Sequence, residues 1–206
     1  MSERTRLYTI AMVLTLAVLV SCTGTKVISE WKDDQYQGRP AKVFVIAATN
    51  DRGPRSLVED EFVRLLKARG AGAVASYKEF SADAKVTKED VLAKVRETGA
   101  DAILVMRFLR KEAGDTHTPL RRYAVPQGFE TSWDAYYGGT ATDVGVRDIS
   151  YDYDVITMET TMYDAATRKP LWSALSDTTY QGSAIKQIKP LTSTIVRRLA
   201  DEKLIP

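Results

Sequence analysis

The sequence predicts an α/β (α+β) domain: a mixed sheet of about five strands, element order β-α-β-α-β-(long insert)-β-β-α, with three helices mainly on one face. Three observations carry this. Short apolar runs rich in β-branched residues alternate with stretches whose apolar residues recur at helical spacing, which favours parallel pairing through helical crossovers. A segment without sustained period, roughly 111–150, then interrupts the pattern. Beyond it, alternating residues around a turn read as a hairpin, and the chain closes on an amphipathic helix.

The first strand is "AKVFVIAAT", Ala41 to Thr49. Ser56 with Glu59 reads as a capping box, and Val58, Phe62, Leu65 and Leu66 share the stripe of the helix it opens. Glu59, Asp60 and Glu61 then fall in that helix's first turn, where carboxylates favour the positive end of the dipole. Gly70 stops the helix, and "AVASY", ending at Tyr77, reads as the second strand. Thr87 and Asp90 repeat the cap signature before Val91, Leu92 and Val95, and Gly99 ends the second helix. "DAILVMRFL", from Asp101, is the third strand. In the hairpin, Ile156, Met158 and Met162 share one face, and Val155, Thr157, Glu159 and Thr161 the other. Asp164 to Pro170 is its turn, and Leu171 to Thr178 its return strand. Ile185, Ile188, Ile195 and Leu199 mark the last helix, which Pro190 should start or kink.

The amino-terminal segment carries a different message. Arg4 and Arg6 precede Tyr8 to Val20, an apolar run broken only by threonines. A spanning helix needs about 20 apolar residues, so this shorter run reads as a secretory signal. It ends "LVSC", with Cys22 the chain's only cysteine. That ending resembles the bacterial lipobox. The resemblance implies a diacylglyceryl group on the Cys22 thiol, cleavage before it and acylation of the new amino terminus. Residues 1–21 are then a lipoprotein signal peptide, 22–40 the lipidated cysteine and a tether, and 41–206 a single globular domain. Trp31 is expected to pack back from the tether onto the domain. Each buried lipid CH₂ contributes about 0.8 kcal/mol, so the lipid can replace a membrane helix. Thr23 stands where an aspartate would mark inner-membrane retention in many Gram-negative lipoproteins, so the expected site is the outer membrane, facing the periplasm.

Composition narrows the chemistry. Removing residues 1–21 takes away two arginines and one glutamate and moves the net charge from +2 to +1. That balance points neither to nucleic acid nor to an acidic membrane surface. With Cys22 lipidated, no thiol remains for disulfides, and a Cys/His zinc site is excluded, since His117 is the single histidine. No GxSxG elbow accompanies His117. Asp143, Asp148 and the acids of "SYDYD" do not have the spacing of a calcium loop and read as a solvated face. Gly53 and Arg55 precede a helix start that could hold an anion, but without a Gly-rich phosphate motif they read as a tight turn and a surface arginine. No cofactor and no metal are expected. Within the insert, Tyr123, Phe129, Trp133, Tyr136 and Tyr137 lie among Pro126, Gly128, Gly138 and Gly139. Such aromatics suit a partner-binding surface; equally, they could cover the sheet face that lacks helices.

"EWKDDQYQG", "RSLVEDEFVRLLKARGAGAVASY", "GADAILVMRF", the Tyr/Gly-rich insert, "YDVITMETTMYDAATRKPLW" and the final "LIP" together resemble a widespread family of uncharacterised bacterial (Gram-negative) envelope lipoproteins. The resemblance implies a fold like that of the TolB amino-terminal domain and of the lipoproteins that activate penicillin-binding proteins, which are interaction modules. The expected function is therefore a membrane-anchored periplasmic binding or scaffolding lipoprotein, not an enzyme, whose partners are the membrane and another envelope protein. The alternative is an envelope or cell-wall hydrolase using two converging carboxylates as acid and base.

Overall fold

The computed structural model describes residues 24–49, 52–80, 86–112, 155–179 and 184–206. The described elements are β1 (Thr25–Lys32), β2 (Lys42–Ala48), α1 (Arg52–Ala68), β3 (Gly72–Ala75), a 3₁₀ turn (Ser76–Lys78), α2 (Lys88–Glu97), β4 (Ala102–Glu112), β5 (Val155–Asp164), β6 (Pro170–Thr179) and α3 (Ala184–Asp201). The strands form one mixed sheet in the order β1-β6-β5-β4-β2-β3. β2 runs parallel to β3 and β4. The remaining neighbours are antiparallel.

Two cores flank this sheet. The larger places Val43, Val45, Leu104, Met158, Met162 and Trp172 under Phe62 and Leu66 of α1 and Ile195 and Leu199 of α3. The smaller places Phe44, Ile46, Ile103, Val105 and Tyr163 under Val91 and Val95 of α2. Two helices thus share one face, and handedness accounts for the third. β3 lies to one side of β2 and β4 to the other, so the two crossovers run in opposite directions. Right-handed crossovers running in opposite directions must lie on opposite faces.

The segment read as a tether is corrected by β1. Thr25–Lys32 adds a sixth strand, antiparallel to β6, with Trp31 opposite Ser173. Its polar sequence hides it because this edge is held by polar contacts. Thr25 Oγ1 and Thr178 Oγ1 share a buried hydrogen bond of 2.9 Å. Glu30 accepts from the Trp172 indole at 2.8 Å and from the Arg198 guanidinium of α3. Lys32 donates to the Glu202 carbonyl at 2.7 Å. Lysines and a bulge between Val27 and Ser29 suit a sheet edge that must resist further pairing.

Helix boundaries follow local chemistry in one case and depart from it in two. Thr87 and Asp90 form the expected reciprocal box: Thr87 N–H donates to Asp90 Oδ2 at 2.9 Å, and Asp90 N–H to Thr87 Oγ1 at 3.2 Å. The Thr87 backbone N–H holds the Asp90 carboxyl below the usual range. α1, by contrast, starts at Arg52, with Pro54 in its first turn, where a missing N–H costs nothing. Ser56 is inside the helix and donates to the Gly53 carbonyl at 3.0 Å, so it is not the cap. α3 likewise runs through Pro190 instead of starting there. Thr192 and Ser193 donate back to the carbonyls of Ile188 and Lys189 at 2.8 and 2.6 Å, just before the proline. "AVASY" is strand only to Ala75, and the 3₁₀ turn follows.

Tyr163 gives the smaller core a pH signature. Burial, reinforced by the Glu159 charge, pushes its phenol up to about 12. A folded pKa above the unfolded value near 10 means that the folded state keeps the proton longer. The stabilisation is complete below pH 10 and is lost as pH rises toward 12. Denaturant midpoints between pH 9 and 11.5 should therefore fall more steeply for the wild type than for Tyr163→Phe. Parallel pH profiles would show that Tyr163 does not drive the loss.

Candidate functional site

β2 and β4 are adjacent and parallel, and their onward connections leave in opposite directions, toward β3 and toward β5. Such a place, outside the carboxyl ends of parallel strands, is where open α/β sheets form ligand crevices. A cleft of about 220 Å³ opens there, on the face that carries α1 and α3. Ala47, Ala48 and Thr49 form its floor, Pro54 and Val58 of α1 one wall, and Ile188 and Leu191 of α3 the other. Met106 and Phe108 of β4, Ile156 and Met158 of β5, and Thr178 of β6 complete it. Phe108 is 50% exposed, which is unusual for a phenyl group in a sheet. Phe108 faces the same side as the buried Leu104 and Met106, just before the bulge between Phe108 and Arg110. The cleft wall is mostly apolar, including two flexible thioethers, and the Thr178 hydroxyl is committed to Thr25. It can bury an apolar group.

A buried carboxylate fixes the floor. Glu59 is fully buried. Its Oε1 accepts from Ala47 N–H at 3.0 Å, Arg55 Nε at 3.0 Å and Ser76 Oγ at 2.8 Å. Its Oε2 accepts from Tyr77 N–H at 2.8 Å. Arg55 Nη2 also donates to Ser76 Oγ at 2.9 Å. This node ties α1 to the end of β2 and to the turn after β3. It corrects the first-turn reading of Glu59, Asp60 and Glu61, which lie two turns into α1. It also corrects the surface reading of Arg55, whose guanidinium is half-buried and committed to Glu59 and Ser76. A sequence signal for the node existed: Glu59, Phe62 and Leu66 share one helical stripe, so the carboxylate had to point inward.

Side chains on the opposite face of the sheet, which carries α2, pair among themselves. Arg107 donates twice to Glu159, at 3.0 and 2.6 Å, across β4 and β5. Thr157 Oγ1 donates to Asp177 at 2.8 Å, and Thr161 Oγ1 and Ser173 Oγ lie 2.9 Å apart. The sequence-predicted residues Cys22, Tyr123, Phe129, Trp133, Tyr136 and Tyr137 lie outside the described residues, as do His117, Asp143, Asp148 and the acids of "SYDYD". Thr25 of β1 is three residues past Cys22, and 113–154 joins the end of β4, beyond Phe108, to the start of β5, before Ile156. Among the described residues, no helix is long and apolar enough to cross a membrane.

No protein-family profile matches the chain, and no curated protein does. Among solved structures it is similar to the PelC dodecamer from Paraburkholderia phytofirmans, at 14% identity and a TM-score of 0.45, covering 88% of this chain and 99% of that one. It is also similar to the lipoprotein GNA1162 from Neisseria meningitidis, at 14% identity and a TM-score of 0.40, covering 79% and 98%. A PDZ domain protein from Parabacteroides distasonis aligns at 10% identity and a TM-score of 0.42, covering 85% of this chain and 36% of that one.

Proposed function

We propose that this chain is a lipid-anchored envelope lipoprotein, facing the periplasm from the outer membrane, whose domain works by contact as a binding or scaffolding module. The observation that carries the contact reading is the apolar cleft beside the exposed Phe108. Its walls suit the apolar side chains of a partner protein, which gains affinity by burying them. The sequence resemblance to Gram-negative envelope lipoproteins, and the interaction-module fold that this resemblance implies, support a binding or scaffolding role. The aromatic residues Tyr123, Phe129, Trp133, Tyr136 and Tyr137, which in sequence stand between the strands that carry Phe108 and Ile156, supply further contact side chains in this reading.

Anchor and contact are tested separately. Cys22→Ser removes the thiol that accepts the lipid, so the protein should lose palmitate labelling and leave the membrane fraction. If it stays bound with its signal retained, the apolar run is an anchor helix and no lipid is needed. For the contact, a photocrosslinking phenylalanine at position 108 of the acylated chain should yield a discrete protein adduct in intact envelopes. Met106→Glu, which puts a charge into the cleft, should abolish the adduct. An adduct that persists beside Met106→Glu would place the partner elsewhere.

A further inference from the structure

α3 presents a second, chemically opposite surface. A groove of about 430 Å³ runs between this helix and β1, lined by residues 25–30 of the strand and by Thr194, Arg197 and Arg198 of the helix. The three helix residues stand at i, i+3 and i+4, which puts them on one patch, with about 5–6 Å between neighbouring Cβ atoms. Two of their polar atoms are buried without a hydrogen-bond partner among the described residues, Thr194 Oγ1 and Arg198 Nε. Thr194 itself is 4% exposed. Buried donors of this kind are rare in a folded protein, and each calls for an acceptor. The rest of the Arg198 guanidinium is engaged: its Nη2 holds Glu30, whose other oxygen accepts from Trp172. The Glu30 carboxylate raises the Arg198 pKa further above its ordinary value, so the cation is permanent. Arg197 stands exposed at the rim, while Lys26, between the inward Thr25 and Val27, turns to the other face of the sheet. On the helix side the groove carries two guanidinium groups, Arg197 and Arg198, with Glu30 paired to Arg198 and Asp201 and Glu202 near it. Among the described residues, the groove thus sets the unpaired guanidinium of Arg197 beside an orphaned hydroxyl and an orphaned guanidinium N–H.

We propose that this groove binds a phosphate group, and that the phosphate belongs to a lipid headgroup of the leaflet holding the anchor. The tetrahedral anion offers several acceptor oxygens to the Thr194 hydroxyl, the Arg198 Nε–H and the Arg197 fork, where a guanidinium is suited to bidentate contact. The lipid source rests on the Cys22 anchor reading and on chain length. Thr25, at one end of the groove, is three residues from Cys22, a reach of at most about 10 Å. Each headgroup layer is itself about 5–8 Å deep. The anchor therefore delivers the groove to headgroups, and a headgroup seated there would fix the tilt of the domain on the membrane.

The test uses the mature acylated protein, beginning at Cys22, in neutral detergent. Its melting temperature and binding isotherm are followed against inorganic phosphate, short-chain dihexanoyl phosphatidylglycerol, and dihexanoyl glycerol, which lacks phosphate. Both phosphate-bearing probes should stabilise the protein, the lipid at lower concentration, and dihexanoyl glycerol should not. Arg197→Gln, a change at an exposed site, should weaken both by about tenfold or more, the loss of a charged hydrogen-bonding partner. Thr194→Val should weaken them by about fivefold, while the melting temperature without ligand holds or rises, because a buried orphan hydroxyl is removed. No response to either phosphate probe, or an unchanged response in Arg197→Gln, overturns the site. Equal affinity for inorganic phosphate and the lipid overturns the headgroup source. Cys22→Ser separates this from the anchor: an intact phosphate response with unchanged membrane retention would leave the site standing and remove the lipid source alone.

Discussion

Phe62→Ala should destabilise the domain by about 3–5 kcal/mol, the usual result of emptying a buried phenyl site. Phe62 is fully buried between the sheet and α3, in the cluster that includes Leu66, Leu104, Ile195 and Leu199. Its neighbours come from strands and from both helices of that face, so collapse into the void would require several elements to move together. For a chain of this length each kcal/mol shifts the melting temperature by about 2–4 °C, which predicts a fall of about 6–20 °C. Calorimetry and urea titration of the mature protein measure it. An unchanged curve would mean that α1 does not dock through this stripe.

Glu59→Ala should cost as much, about 3–5 kcal/mol, for a different reason. The carboxylate accepts hydrogen bonds from two backbone N–H groups, a hydroxyl and a guanidinium while fully buried. Removing it leaves those donors dry and unpaired, and each buried orphan costs about 1–3 kcal/mol. Glu59→Leu separates this cause from packing, since it restores most of the volume and none of the acceptors. It should be nearly as damaging as Glu59→Ala. Amide exchange at Ala47 and Tyr77 should accelerate in both variants, because these are the N–H groups that lose their acceptor. If Glu59→Leu is as stable as the wild type, the node contributes nothing beyond filling space. The node also fixes Ala47, so its loss should widen the cleft floor and weaken crosslinking from position 108.

The alternation of strand and helix was readable because it records burial that repeats locally. Val43, Val45, Leu104 and Met106 lie in one core, Phe44, Ile46, Ile103 and Val105 in the other, and both sets stand adjacent in the chain as unbroken apolar runs. The Phe62 and Leu66 stripe and the Thr87–Asp90 box have the same origin, a few residues acting on their own backbone. Sequence spacing misled at Ser56 and Glu59. A capping box and an inward carboxylate share the pattern S-x-x-E, and only the position of β2 and of Ser76 distinguishes them.

The long-range decisions left no local trace. β1 exists because Thr25 meets Thr178, 153 residues away, and because Glu30 meets Trp172 and Arg198. A polar strand of this kind is stabilised by partners that arrive only when the whole sheet closes, and the entropy of bringing them together depends on every loop between. The cleft at Phe108 and the groove at Thr194 arise in the same way. Each is lined from elements far apart in the chain, so no window of sequence contains either one. Local periodicity specifies which face of an element turns inward. Which polar groups end up facing one another is set by how the elements stack, because hydrogen bonds and cavities depend on distances that only the packed sheet and helices establish.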